Sequence, residues 1–325
     1  MKLSFSTIYN YRYKIFHHTR WATMDRYHHH HRPKQRIVVL MGATGTGKSR
    51  LSIDIASRFP SEIINADKIQ LYSGLDITTN KIPMPDRRGV PHHLLGEFDP
   101  DDGEILPADY RSIASDRISQ IITRRRLPVI AGGSNSFIHA LLSEHYDPEK
   151  DCIGRNSFGS GVLRYNCCFI WVHVARHVLE EYLSRRVDDM LDSGMFEELA
   201  GFFSSSVTVG SEPTGLLKAI GVPEFERYFQ RYGGSAHSEG DLGRTEAYEE
   251  AVEAIKENTY QLAERQIQKI QWLRSTGWDL KVMDATNAFR AVLESDDVRY
   301  REAWEKDVMS PSMKVVKQFL DGAVC

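Results

Sequence analysis

Gly42-Ala43-Thr44-Gly45-Thr46-Gly47-Lys48-Ser49 decides the fold of this chain. It reads G-x-x-x-x-G-K-S, the spacing of a phosphate-binding P-loop, and both flanks have the form such a loop needs. Ile37-Val38-Val39-Leu40-Met41 before it is an unbroken apolar run, as in a parallel strand buried on both faces. After it, Leu51, Ile55 and Phe59 recur at i, i+4 and i+8 and trace one face of a helix. Glycines let backbone N–H groups close around an anion, and the helix N-terminus adds about half a positive charge. Lys48 is expected to reach phosphate oxygens, and the Ser49 hydroxyl to ligate a phosphate-bound Mg²⁺. Thr44 and Thr46 offer hydroxyls to the anion, or simply fit the turn. A glycine-rich turn with an incidental lysine is the alternative, and the two flanks weigh against it.

Working outward, Glu62–Asp67 reads as a short strand ending in a carboxylate. A polar segment, 74–81, leads to Gly89-Val90-Pro91-His92-His93-Leu94-Leu95-Gly96, whose histidines read as loop packing. A helix is expected over 107–125, a buried strand over 127–131, a helix over 137–142 and a strand over 168–172. Strands alternating with helices through short glycine turns indicate a parallel, doubly wound α/β sheet of the P-loop NTPase type. From about 177 the pattern turns helical: Leu179, Leu183, Val187 and Met190 share a face, and Gly194 stops that helix. A long helix is expected over 245–274, a returning strand over 278–284 and two C-terminal helices. Ser/Gly-rich stretches at 153–161, 204–215 and 231–243 read as linkers and loops. The expected organisation is a leader at 1–35, an α/β core at 36–176 plus 277–325, and an inserted helical substrate lobe at 177–276.

The 325 residues are 41% hydrophobic and 26% charged with a formal net charge of −3. That balance gives no general attraction to nucleic acid or to an acidic membrane. No apolar run approaches the roughly 18 residues of a spanning helix. Cys152, Cys167, Cys168 and Cys325 form no C-x-x-C pair and read as reduced thiols. The first 36 residues differ: Lys2, Arg12, Lys14, Arg20, Arg26, Arg32, Lys34 and Arg36 stand against one acid, Asp25. Basic, acid-poor and rich in Ser and Thr is the composition of an organelle transit peptide, with a disordered basic tail as the alternative. A plastid is the expected destination, with mitochondrion and cytosol as the others. His28–His31 read as a solvated tract, and Met24 as an alternative start.

Several strings together resemble the isopentenyltransferases, and the plant adenylate isopentenyltransferases in particular. They are GATGTGKS at 42–49, INADKIQLYSGLDITTNK at 64–81, GVPHHLLG at 89–96, LPVIAGGSNSFI at 127–138, RVDDMLDSGM at 186–195 and AIGVPEFERYF at 219–229, followed by the helix around 255–273. The resemblance implies transfer of a dimethylallyl group from its diphosphate to the N6 amine of AMP, ADP or ATP, the first step of cytokinin synthesis. It implies dimethylallyl diphosphate and an adenine nucleotide as partners and Mg²⁺ as cofactor; a monomer is expected, and from charge and hydropathy no nucleic-acid or membrane partner. Within it, Asp67 matches the base that takes the N6 proton, with Lys48 and Thr44 beside it in the catalytic set. Residues Gly42, Ala43, Thr44, Gly45, Thr46, Gly47, Lys48 and Ser49 would hold the diphosphate. Lys218 falls where the family has a basic residue for phosphate. Arg265 and Lys269, four apart on the long helix, would meet phosphates across the cleft, or form a solvated face. Asp76, Thr79, Asn80 and Lys81 are candidates for the acceptor side.

The chain departs from the family's pattern in places. Leu217 stands beside Lys218 where two basic residues are usual, and His173 where Asp is usual. Arg176-His177 replaces a more apolar pair, and Asn166 replaces Asp. Loss of a phosphate contact at Leu217 would cost about ten- to a hundredfold in affinity. Three rival readings stay open. A tRNA adenine dimethylallyltransferase shares the chemistry but needs a basic surface for RNA. A P-loop kinase would pass the ATP γ-phosphate to an acceptor and need no prenyl donor. A non-catalytic nucleotide binder is the third.

Overall fold

Strand β1 (Arg36–Met41) is buried from its second residue onward, and a parallel strand lies on each side of it. The computed structural model describes residues 34–149, 162–205, 215–234 and 241–322. The basic leader before residue 34, with Met24 and the histidine run, lies outside the described residues. So do Cys152, Cys325, the 153–161 linker and the inner parts of the two later Ser/Gly-rich loops.

Six strands form one parallel sheet in the order β3-β2-β4-β1-β5-β6. The others are β2 (Ser61–Asn65), β3 (His92–His93), β4 (Leu127–Ala131), β5 (Asn166–His173) and β6 (Leu280–Asp284). Val39 aligns with Ile130 on one side and Phe169 on the other, so the sheet centre is a continuous apolar layer. Each fully buried Val, Ile or Leu there contributes on the order of 1.5–3 kcal/mol. The chain builds the β3-β2-β4 half first, then crosses to add β5 and β6 beyond β1. A crossover of this kind leaves a crevice at the carboxyl ends of the central strands.

Helices cover both faces: α1 (Lys48–Arg58), α2 (Pro107–Thr123) and α3 (Asn135–Leu142). The lobe carries α4 (Arg176–Asp192), α5 (Met195–Ser205), α6 (Val222–Tyr232) and α7 (Leu242–Ser275). Phe196, Phe225, Tyr228 and Phe229 interlock in its centre with ring centroids 5.3–5.8 Å apart. Aromatic pairs at this spacing add to the burial of their area, and they hold α5 and α6 as one body. The chain returns through β6 to α8 (Thr286–Leu293), α9 (Asp297–Trp304) and α10 (Ser310–Leu320).

The fold class stands as read from the sequence, and most elements fall within two or three residues of expectation. Two differ. The pair His92–His93 is a strand, because its backbone pairs with Ile63 and Ile64 at the sheet edge. Two residues carry no periodicity that could announce it. The last of the two expected C-terminal helices contains a π turn, Glu305–Met309, joining α9 to α10 without a break in helical backbone. Among the described residues, no helix is long and apolar enough to cross a membrane.

Candidate active site

The loop 42–47 leaves β1 and turns into α1 at Gly47, whose φ of +88° suits glycine. A side chain there would also strike Trp304, whose ring lies 2.6 Å from where a Cβ would sit. Trp304 is itself fixed by its indole N–H, which donates to Asp54 on α1 at 2.9 Å. The end of α9 thus backs the loop. Inside the loop, the Thr46 hydroxyl donates to the Ala43 carbonyl at 2.9 Å and is buried, so Thr46 closes the turn. Lys48 Nζ donates to the same carbonyl at 2.6 Å. Ser49 is exposed on the first turn of α1.

Asp67 sits two residues beyond β2, in a turn locked from three sides. Asn65 Oδ1 accepts the Asp67 N–H at 3.0 Å, and Asn65 Nδ2 donates to the Asp67 and Leu94 carbonyls. Ser134 Oγ accepts the Lys68 N–H at 2.8 Å, and Asp67 Oδ1 accepts the Ile69 N–H at 3.1 Å. Burial raises the Asp67 pKa above the usual carboxylate range, against the opposing pull of Lys48. Burial lowers Lys48 to about 8, with Asp67 resisting and Arg186 adding to the fall. A carboxylate raised and an ammonium lowered within electrostatic reach of each other are the marks of groups prepared for proton and anion chemistry.

A cavity of about 270 Å³ opens between the loop and the lobe. Thr44, Asp67 and Arg186 supply its polar floor, Lys218 and Arg265 line it as cations, and Val187, Met190 and Ile255 are among its apolar wall. Arg186 Nη2 donates to Thr44 Oγ1 at 3.2 Å, and burial lowers its pKa. Lys218 Nζ pairs with Glu104 at 2.7 Å, and Glu104 also accepts from Lys68. Two cations held by one acid leave a net positive rim.

The structure gathers Thr44, Asp67, Thr79, Asn80, Lys218 and Arg265 around this cavity. Of the loop 42–49 only Thr44 reaches the lining: Lys48 folds back onto the Ala43 carbonyl, and Gly42, Ala43, Gly45, Thr46, Gly47 and Ser49 lie off it, as do Lys269, Asp76 and Lys81. Lys269 is exposed and lies off the lining, because α7 buries Gln266, Ile267, Ile270 and Leu273. Lys81 is buried and donates to the Gly74 carbonyl and Thr79 Oγ1 while pairing with Asp76 at 3.0 Å; the pair braces the 74–81 turn. Leu217 packs on the core while Lys218 faces the cavity, so this departure does not strip the lining. Asn166 lies opposite Arg36 at the start of β1, at the far end of the sheet from the loop. His93 pairs with Glu62 at 2.7 Å, which fits its reading as packing. Sequence reasoning missed Arg186 and Gln266. Arg186 lies in the quoted string 186–195, and its only signal was a lone cation on the apolar stripe of α4.

The family model for IPP transferase matches residues 70–161 and 149–276. An adenylate isopentenyltransferase of Humulus lupulus is 56% identical over 87% of this chain and 89% of its own length. The chain belongs to the isopentenyltransferase family. Adenylate isopentenyltransferase 1, chloroplastic, of Arabidopsis thaliana is 52% identical over 88% of this chain and 82% of its own. Names among these isopentenyltransferases include both chloroplastic and mitochondrial forms. A solved structure described as a eukaryotic dimethylallyltransferase acting on tRNA superposes with a TM-score of 0.72 at 21% identity. It covers 89% of this chain and 80% of that one, and at this identity it speaks for the isopentenyltransferase fold.

Proposed function

We propose that this chain transfers a dimethylallyl group from dimethylallyl diphosphate to the N6 amine of an adenine nucleotide, as the first step of cytokinin synthesis. One observation carries the reading: the Asp67 carboxylate, raised by burial, shares a cavity with Thr44 of the phosphate loop and with Arg186. N6 attacks C1 of the allylic group, the C1–O bond breaks, and diphosphate leaves with the electron pair. The N6 lone pair is delocalised into the purine, so attack needs help. Asp67 accepts the N6 proton and localises that pair as the new bond forms. Lys48, Arg186 and the loop amides take up the charge that grows on the departing oxygen. Binding of the diphosphate would tighten the hold on the Lys48 proton that burial weakens. The apolar wall excludes water from an allylic cation-like centre.

The Ser49 hydroxyl, exposed beside the loop, suits Mg²⁺, which takes one or two protein oxygens and completes its shell with phosphate and water. Bound there with the diphosphate, it would supply charge neutralisation. The basic, acid-poor leader and the chloroplastic relatives support a plastid destination. Residues 1–35 fused to a fluorescent protein test this: signal in mitochondria would move the assignment there.

The chain without residues 1–35 is incubated with Mg²⁺, dimethylallyl diphosphate and AMP, ADP or ATP separately, and product is read by mass. N6-prenylated nucleotide, lost in Asp67→Ala, supports the proposal and ranks the acceptors. Product from an unmodified tRNA alone would move the activity to RNA. Phosphoryl transfer from ATP without a prenyl donor would make the chain a kinase.

A further inference from the structure

Gln266 lies on α7, more than two hundred residues from the phosphate loop in sequence, yet its side chain is built into that loop. It is 7% exposed. Its Oε1 accepts the Thr44 N–H at 2.7 Å, and its Nε2 donates to the Gly133 carbonyl at 3.1 Å. Thr44 N–H can only donate and the Gly133 carbonyl can only accept, so the amide has one orientation that satisfies both. The main chain at the same residue is held as well: the Gln266 carbonyl accepts from Asn135 Nδ2 at 3.1 Å. Gly133 has no room for a side chain, since a Cβ there would lie 2.4 Å from Gln266 Nε2 and 3.5 Å from Asp67 Oδ2. Its neighbour Ser134 bonds the Ala66 carbonyl and the Lys68 amide on either side of Asp67. A single amide therefore bridges the donor-holding loop and the segment that backs the base. Gln266 does not itself line the cavity, whereas its neighbour Arg265 does.

We infer that Gln266 is a positioning residue for prenyl transfer, whose two amide hydrogen bonds fix Thr44 of the phosphate loop in register with Asp67. This rests on the proposed reaction. The bridge ties the lobe helix to both loops, so one side chain links the placement of the leaving group to that of the base. Small misplacements of this kind cost large factors in rate while leaving the fold intact.

The experiment compares Gln266→Met and Gln266→Glu with the unaltered chain in steady-state kinetics between pH 5.5 and 8.5, with thermal unfolding recorded for each. Methionine fills the space and makes neither bond. Its kcat is expected to fall about thirtyfold with a smaller change in KM for dimethylallyl diphosphate, and its unfolding transition to stay cooperative. Glutamate keeps the acceptor for Thr44 but can donate to Gly133 only when protonated. Its activity relative to the unaltered chain is expected to rise about fivefold or more as pH falls from 8.5 to 5.5, a rescue that a merely structural glutamine would not give. Calorimetry with inorganic diphosphate reads the loop without turnover, and about tenfold weaker binding is expected for Gln266→Met. Diphosphate affinity within twofold of the unaltered chain, or losses that track unfolding with no pH-dependent ratio, would overturn the inference. Failure of the unaltered chain to prenylate any nucleotide would overturn the proposed reaction instead, and the diphosphate measurement would still judge Gln266.

Discussion

Strand β2 carries one carboxylate near its start and another just past its end, and the fold treats them in opposite ways. Glu62 is 4% exposed and meets Arg124 at 2.6 Å, His93 at 2.7 Å and Arg126 at 3.7 Å. The hydrogen bond from Arg124 leads the groups that hold its pKa below the ordinary glutamate value. Asp67, five residues on, has no ion pair that close among the described residues, and burial holds its pKa up. The first carboxylate is matched with charge at the edge of the sheet. The second faces a cavity with only part of its charge offset. A buried carboxylate that is fully paired belongs to stability, and one left partly uncompensated belongs to chemistry.

The hardest test of that contrast is Asp67→Asn. The amide keeps the size and the bond from the Ile69 N–H but takes no proton. Loss of the base is expected to lower kcat about 10³-fold, within the 10²–10⁴ range of general-base removal, measured by single-turnover formation of N6-prenylated nucleotide. A loss below tenfold would remove Asp67 from the catalytic role and leave it a turn-forming residue like its neighbour Asn65.

Lys48 is the cation that partly offsets Asp67, so Lys48→Met attacks the same contrast from its other partner. It is expected to lower kcat/KM for dimethylallyl diphosphate about 10²- to 10³-fold, the cost of one lost donor to developing charge. In the unaltered enzyme, kcat/KM reports the free groups. It should rise with pH as Asp67 loses its proton, at a midpoint above the ordinary carboxylate value, and fall as Lys48 loses its own at about 8. The methionine variant should lack that basic limb. If the limb persists, another group carries it.

These residues also show what could be read from sequence. Loop, strand and helix around Gly42–Ser49 were legible because all their determinants are local: apolar run, glycine spacing, helical period. Asp67 was legible as a carboxylate at a strand's carboxyl end, and its reading as a base rested on the family likeness. Arg186 and Gln266 were not, because tertiary packing alone brings α4 and α7 to the loop. A glutamine on a long helix looks like solvated surface until the fold buries it. The same blindness paired Arg265 with Lys269. Four-residue spacing puts them on one side of α7 but does not say where the cavity ends. Lys81 reads as an acceptor-side candidate in sequence and is buried under its own turn in the structure.

Glu62→Gln probes the paired end of β2. Its folded pKa is depressed, so its contribution to stability is fully present above the unfolded value of about 4.3 and is lost as pH falls through the folded one. Glutamine should cost about 1–2 kcal/mol at pH 7, since Arg124 and Arg126 are near half-exposed and regain water. The urea midpoint measures this, and the loss relative to the unaltered chain should shrink below pH 4. Turnover by the folded variant should stay within about twofold, because the site touches neither end of this network. A large fall in kcat would mean that the two ends of β2 are coupled.

The smallest effect has the opposite sign. Asp67 has a raised folded pKa, so its ionised form opposes folding. That cost is fully present above the folded pKa and vanishes as pH falls below the unfolded value of about 3.9. Asp67→Asn removes the charge and should therefore raise stability at pH 7 by about 0.5–1 kcal/mol, the usual scale for relieving a strained functional site. The gain, read from urea midpoints at pH 7 and pH 4, should be smaller at pH 4, because a raised carboxyl gives up its charge as pH falls. Glu62→Gln and Asp67→Asn would then move stability in opposite directions at neutral pH from positions five residues apart. Destabilisation by Asp67→Asn would mean that the Lys48 charge and the turn amides outweigh burial, and that the base is held in place by the same kind of pairing that holds Glu62.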